Sequence, residues 1–286
     1  MKGLSALTLA KNRTPHLRQM LEGFRRSAVA PDELVIVDMD QTPPALPGCA
    51  FPIRRLHLPL EALPLAKARN LAAAAAGFDS LLFLDADCIP MRGLVGAVQR
   101  HLASQDILIC PEIRYLGRND ARSGWDEPAL RQTALPHPVR AFPEHGLKFC
   151  DNPGLFWSLG FGIRRERFLK LGGFDERFTG YGAEDTDFGF RARQSGLGFA
   201  FLGGVASGIG AFHQHHPVYD PPLQHFSDIL RNAQAFHDRW NFWPMQGWLE
   251  DFEKLGLIIR TGGALTLRRQ PTTRERDDAK SVDRRF

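Results

Sequence analysis

Three short runs, Leu4–Leu9, Leu34–Asp38 and Ser80–Leu84, are apolar almost throughout, and stretches with helical spacing separate them. Such runs make buried strands. Strands alternating with helices build a largely parallel sheet with helices on both faces. Thr14-Pro15 predicts a helix start, with Thr14 as cap and proline at the first helical position. Leu17, Met20, Leu21 and Phe24 follow at helical spacing. Leu65–Ala76 is an alanine-rich helix closed by Gly77, and Gly93–Ala103 is another. Ile53–Leu58 and Ile107–Cys110 add two short extended segments. The fold class expected is therefore α/β.

From Pro111 to Pro153 the rhythm breaks into loops and short elements rich in Pro, Arg and Gly. Beyond it, helices are predicted over Arg164–Leu171 and Glu184–Ser195, and strands over Phe199–Leu202 and Val205–Phe212. Aromatic-rich helices follow over Gln224–Trp240 and Gly247–Leu255, with a disordered tail after about Leu267. The 286 residues, 43% of them hydrophobic, suit one large domain with a small appendage. The expected division is a catalytic domain over 1–217, a helical extension over 218–267 and a tail over 268–286. Within the catalytic domain, about 1–110 would bind nucleotide and about 111–217 would carry acceptor and catalytic residues. The net charge of +4 sits largely in the tail, where seven Lys or Arg face four Asp or Glu between Arg268 and Phe286. The body is nearly neutral, which leaves no electrostatic footprint for nucleic acid. Cys49, Cys88, Cys110 and Cys150 show no paired spacing, so reduced thiols in a cytoplasmic protein are expected. No apolar stretch approaches the roughly 20 residues a membrane span needs.

Four constellations carry chemistry. Asp85-Ala86-Asp87 leaves the end of the strand Ser80–Leu84, where ligands bind in parallel α/β sheets. Two carboxylates so close repel unless a cation joins them. A hard divalent ion such as Mn²⁺ or Mg²⁺, bridging to a diphosphate, is the natural occupant. Gly180-Tyr181-Gly182-Ala183-Glu184-Asp185-Thr186-Asp187 sets two glycines and an aromatic before an acidic helix start. A carboxylate there could act as general base toward a sugar hydroxyl. His213-Gln214-His215-His216 follows a strand-like run, and one histidine could complete the metal site. Strand alternation points His213 and His215 to one side and His216 to the other. Lys11, Arg13, Lys67 and Arg69 could neutralise a diphosphate, and Asp38 could accept from a base or ribose.

Together these segments, from Leu4 to Pro217, resemble the GT-A glycosyltransferases. The likeness is to the inverting branch that holds β-1,4-galactosyltransferases and chondroitin-polymerase-type transferases. Asp85-Ala86-Asp87 matches the family's metal-binding DxD motif. Gly172-Gly173-Phe174-Asp175-Glu176-Arg177-Phe178, followed by Gly180 to Asp185, matches the branch's most specific signature. Leu9 to Arg13 resembles the nucleotide-binding strand end, and Ala211-Phe212-His213-Gln214 the segment that completes the metal site. Where many members carry paired aspartates, this chain has Asp38-Met39-Asp40. The resemblance implies Asp185 as catalytic base, Glu184 and Tyr181 at the acceptor, and Asp87 with His213 on the metal. It implies Lys11, Arg13, Asp38, Lys67, Arg69 and Asp85 around the donor nucleotide. The expected activity is metal-dependent, inverting transfer of galactose or N-acetylgalactosamine from a UDP-sugar to a glycan or small hydroxyl acceptor. The competing readings are a nucleotidyltransferase, a non-catalytic sugar- or nucleotide-binding protein on the same fold, and a hydrolase built on the histidines. A nucleotidyltransferase would need a glycine-rich phosphate loop, and Leu9 to Thr14 has no glycine.

Overall fold

The computed structural model describes residues 1–59, 63–122, 124–282 and 284–285. In chain order the first half runs β1 (Leu4–Ala10), α1 (Thr14–Arg25), β2 (Glu33–Asp38), β3 (Ile53–His57), α2 (Leu65–Ala75), β4 (Ser80–Leu84), β5 (Cys88–Pro90), α3 (Leu94–Ser104), β6 (Ile107–Pro111) and β7 (Ile113–Tyr115). The centre holds α4 (Glu127–Thr133), β8 (Leu135–Pro136), β9 (Gly146–Phe149), β10 (Gly160–Arg164), α5 (Arg165–Lys170), α6 (Glu184–Gln194), β11 (Gly198–Gly203) and β12 (Ala211–His213). The remainder is β13 (Val218–Tyr219), α7 (Phe226–Trp240), α8 (Gln246–Lys254), the hairpin β14 (Ile258–Thr261) and β15 (Ala264–Leu267), α9 (Thr273–Ala279) and β16 (Lys280–Ser281).

Eight strands form the central sheet in the order β3-β2-β1-β4-β10-β6-β11-β9. The first four are mutually parallel, as is the pair β6 and β11, while β10 and β9 run against their neighbours. Strand parity sorts the core. Leu4, Ala6, Leu34, Ile36, Leu82 and Leu84 face one hydrophobic cluster, under α1 and α3. Leu7, Val35, Val37, Leu81 and Phe83 face the other, with α2, α5 and α6. The strand order reverses between β2-β1 and β4, and the crevice beyond the carboxyl ends of β1 and β4 is where such sheets bind ligands.

The structure corrects three expectations and adds one strand. Helix α1 is capped by Arg13, whose side chain makes no capping bond, so Thr14 is its first helical residue. The predicted strand Val205–Phe212 is a 3-10 turn, Val205–Ser207, then a short strand from Ala211. Gly208 and Gly210, at φ of 73° and 146°, break it between. Strand β10 was not foreseen, although it joins the two halves of the sheet. The region after Leu267, expected to be disordered, holds α9 with a complete Thr272–Glu275 capping box and β16 paired to β13. No helix among the described residues is long and apolar enough to cross a membrane.

Candidate active site

Strand β4 is fully buried, so the chain must turn as it reaches the sheet's end, and a Cys88 N–H bond to the Asp85 carbonyl closes that turn. The turn presents both aspartates at the crevice. Asp87 is buried, with His213 Nε2 3.6 Å from its Oδ1 and His216 Nε2 3.5 Å from its Oδ2. Arg13 Nε, at the start of α1, lies 3.8 Å from the same carboxylate. Burial draws the His213 imidazole down to about 4, keeping it neutral at pH 7. Asp87 is held below its ordinary value: His213, His216 and Arg13 overcome the upward push of burial. Neutral imidazoles and an ionised carboxylate are what a divalent cation requires. Donor atoms of Asp87, His213 and His216 lie within 4.8 Å of one another, so the residues present fit such an ion.

His216 therefore joins His213, against the alternation argument. Strand β12 stops at His213, and a bend brings His216 back over Asp87. The Gln214 N–H bonds the Asp87 carbonyl and its side chain bonds the His16 carbonyl, which fixes this bend to α1. His16 itself was missed in the sequence; its pKa is lowered by burial, against the pull of Asp87.

A second acidic group faces the first. Arg69, buried on α2, lies 3.2 Å from Glu184 Oε1 and 3.8 Å from Asp85 Oδ1, tying the β4 turn to the start of α6. Lys67, expected beside it, is two residues away on the same helix, turned about 200° round it, and is exposed. It does not join the cluster. Lys11 follows β1 directly and is half-buried. Asp38 is taken up by the Arg55 guanidinium and the Asp40 N–H, and so braces the turn after β2.

The start of α6 is built with local strain. Its cap, Ala183, sits in the left-handed region at φ 69°, which costs a non-glycine residue about 1–2 kcal/mol. Gly180, also left-handed, has no room for a side chain: a Cβ there would lie 2.1 Å from Asp228 Oδ2. What holds the loop is α7. Buried Asn232 donates to the carbonyls of Thr179, Tyr181 and Gly182 at 2.9–3.2 Å. Asp187, fully buried, accepts from Arg191, Arg239 and Trp240. The third carboxylate of the acidic cluster is thus a brace, which leaves Glu184 and Asp185 at the crevice. Burial raises Glu184, and Asp185 raises it further. Burial also raises Asp185, against Arg69 and backbone hydrogen bonds from Thr186 and Ser158. A carboxylate so placed is a stronger base. Tyr181 stacks on His225 at 4.4 Å, beside Trp248 on α8.

Asp85 is pushed up to about 7, first by burial, then by Asp87, Glu184 and Asp185, with Arg69 opposing. A carboxyl whose folded pKa lies above its unfolded value supports the fold fully only below the unfolded value, and that support is lost as pH rises through the folded one. Asp85→Asn is therefore expected to raise the urea midpoint of the metal-free protein at pH 8. The gain should shrink as pH falls below about 7, where wild-type Asp85 regains its proton. A pH-independent difference would refute this account of Asp85.

Two family models match the chain: "Glycosyl transferase family 2" over residues 5–173 and "N-terminal domain of galactosyltransferase" over residues 155–216. Chondroitin synthase of Pasteurella multocida (strain Pm70) is 27% identical over 176 residues, covering 54% of this chain and 18% of that protein. Validoxylamine A glucosyltransferase of Streptomyces hygroscopicus subsp. limoneus is 26% identical over 221 residues, covering 68% and 48%. The chain thus spans less than half the length of these two relatives. Among solved structures, S. aureus TarS 1-349 superposes with a TM-score of 0.51 at 15% identity, covering 82% of this chain and 64% of that one. GalNAc-T7 with UDP, GalNAc and Mn²⁺ gives 0.50 at 16% identity, covering 75% and 43%. At such identities these two likenesses concern the fold.

Proposed function

The chain belongs to glycosyl transferase family 2 and has the GT-A fold, and from that premise we propose that it transfers a sugar, with inversion, from a UDP-sugar to a hydroxyl of a glycan or small-molecule acceptor. Galactose and N-acetylgalactosamine are the sugars we favour. The observation that carries this reading is the Arg69 bridge, which brings the Asp85–Asp87 turn and the Glu184–Asp185 helix start to one crevice.

Asp87, His213 and His216 would hold a divalent ion, and two imidazoles beside one carboxylate suit Mn²⁺ better than Mg²⁺. When bound, such an ion supplies a Lewis acid for the departing diphosphate. Arg13 and Lys11, at the end of β1, add positive charge on the same side. Asp38 and its turn would bound the nucleoside. Asp185 takes the proton from the acceptor hydroxyl as that oxygen attacks the anomeric carbon opposite the diphosphate, so an α-linked donor gives a β-linked product. Glu184, fixed by Arg69, and Tyr181, stacked on His225, would orient the acceptor.

The test is slow donor hydrolysis across a panel of UDP-sugars. UDP should be released from one donor in the presence of Mn²⁺, and the release should stop on chelation. If no donor is turned over and UDP itself binds no better with Mn²⁺ than without, the proposal fails.

A further inference from the structure

Two members of the metal triad have firm seats. Asp87 is set by the closed turn after β4. His213 is the last residue of β12, which lies between β5 and β7. His216 comes after that strand has ended, so its place depends on what grips the chain on either side. On the near side the grip is Gln214, bonded to the Asp87 and His16 carbonyls. On the far side it is a segment from much later in the chain. Val218 and Tyr219 pair with Ser281 and Lys280. The Asp220 N–H bonds the Ala279 carbonyl at 2.9 Å. The Asp220 carboxylate accepts from the Arg284 guanidinium, and the Arg284 N–H bonds Ser281 Oγ at 3.2 Å. Among the described residues, Val218 to Asp220 hydrogen-bond only to this segment.

The same segment reaches the other flank of the site. Half-buried Arg285 donates from Nη1 to the Thr133 carbonyl at 2.6 Å and the Tyr115 carbonyl at 3.4 Å. Gly117 leaves room for the guanidinium: a Cβ there would lie 3.0 Å from Nη2. Tyr115 is the partner of His213 in the β7–β12 pair, and its ring lies 5.0 Å from the His213 imidazole. The next residue, Leu116, bonds the His213 carbonyl through its N–H. Residues 280–285 therefore span from the chain just beyond His216 to the strand beside His213.

His216 stands midway between its two grips, Gln214 and Val218. A ligand gripped from one side alone keeps backbone freedom that metal binding must remove, and affinity falls by that loss. The far grip is lightly built. The α9 helix that leads into it has no buried residue, and β16 is two residues long. The Arg284–Asp220 pair is about half exposed and adds little. This grip can be undone without unfolding the central sheet.

We propose that residues 280–285 form a clasp that positions His216 on the metal, with Arg285 as its main fastening. The clasp lies beyond the residues that either family model matches, which end at 216. The inference rests on the metal triad of the reading above and adds positioning residues to it.

The test reads Mn²⁺ affinity of the full chain by electron paramagnetic resonance. Arg285→Ala removes the bonds to Tyr115 and Thr133, and Ser281→Pro puts a residue without an N–H into β16. Together they should weaken Mn²⁺ binding about 10-fold, as for residues that orient metal ligands. Arg285→Ala alone should weaken it roughly 3-fold, and Arg285→Lys should recover part of that loss. In a His216→Ala background the same pair of substitutions should change affinity by less than about 2-fold, because the side chain they position is gone. Wild-type affinity in the folded paired variant overturns the proposal. So does a loss as large in the His216→Ala background as outside it, which would mean that the segment acts on the fold at large. If the paired variant does not fold, Arg285→Ala decides alone by the same two comparisons. A wild type that binds no Mn²⁺ would overturn the triad and the clasp together, whereas normal wild-type binding with silent variants would strike the clasp alone.

Discussion

Asp185→Asn is expected to lower the rate of transfer about 10²–10⁴-fold, the range for a general base, and to leave Mn²⁺-dependent UDP binding unchanged. The amide keeps the shape of the carboxylate and can still accept from Thr186 N–H, 2.7 Å away. It cannot take a proton from the acceptor. Asp185 is also remote from the metal triad in its contacts: its partners are Thr186, Ser158 and Arg69. The rate of transfer and the affinity for UDP should therefore separate cleanly. A variant that loses both in parallel would mean that Asp185 serves the donor, and the base would have to be sought elsewhere.

The second large effect concerns the triad. Asp87→Ala should lower turnover by roughly 10³-fold or more, because several kcal/mol of charge stabilisation on the leaving group would go with the metal. Mn²⁺ affinity, read directly by electron paramagnetic resonance, should fall with it. The three neighbouring histidines provide the internal control. His213→Ala and His216→Ala should weaken Mn²⁺ binding, since each places Nε2 within 3.6 Å of Asp87. His215→Ala should not, because His215 is outside the group whose donor atoms converge. If His215→Ala behaved like His216→Ala, the triad would be wrongly drawn.

The parts of the molecule legible in the sequence are those fixed by near neighbours. Strands β1, β2 and β4 are apolar almost throughout, and the carboxylates at the end of β2 and just after β4 could be placed at the sheet's edge from that alone. Strand β10 escaped because Gly160 and Gly162 dilute its apolar pattern. A Cβ at Gly162 would come within 2.6 Å of Val98 Cγ1, so the glycine serves the close approach of α3. That pressure comes from a helix more than 60 residues earlier, which a local pattern does not register. His216 was set aside because the alternation rule was carried past His213, where the strand ends. The capping box of α9 was present as Thr272-Thr273-Arg274-Glu275, but the surrounding charge outweighed it.

The bonds that α7 makes to the acidic loop bear on how such enzymes can be recombined. Asn232 supports three carbonyls of residues 179–182, while Arg239 and Trp240 complete the shell of Asp187. A chimera joined at residue 217 would graft a foreign helix beneath the loop that bears Asp185. It would leave Asp187 facing whatever that helix offers. Exchange of acceptor-facing segments between relatives therefore calls for a junction beyond Trp240, or for Asn232, Arg239 and Trp240 to travel as one inherited set.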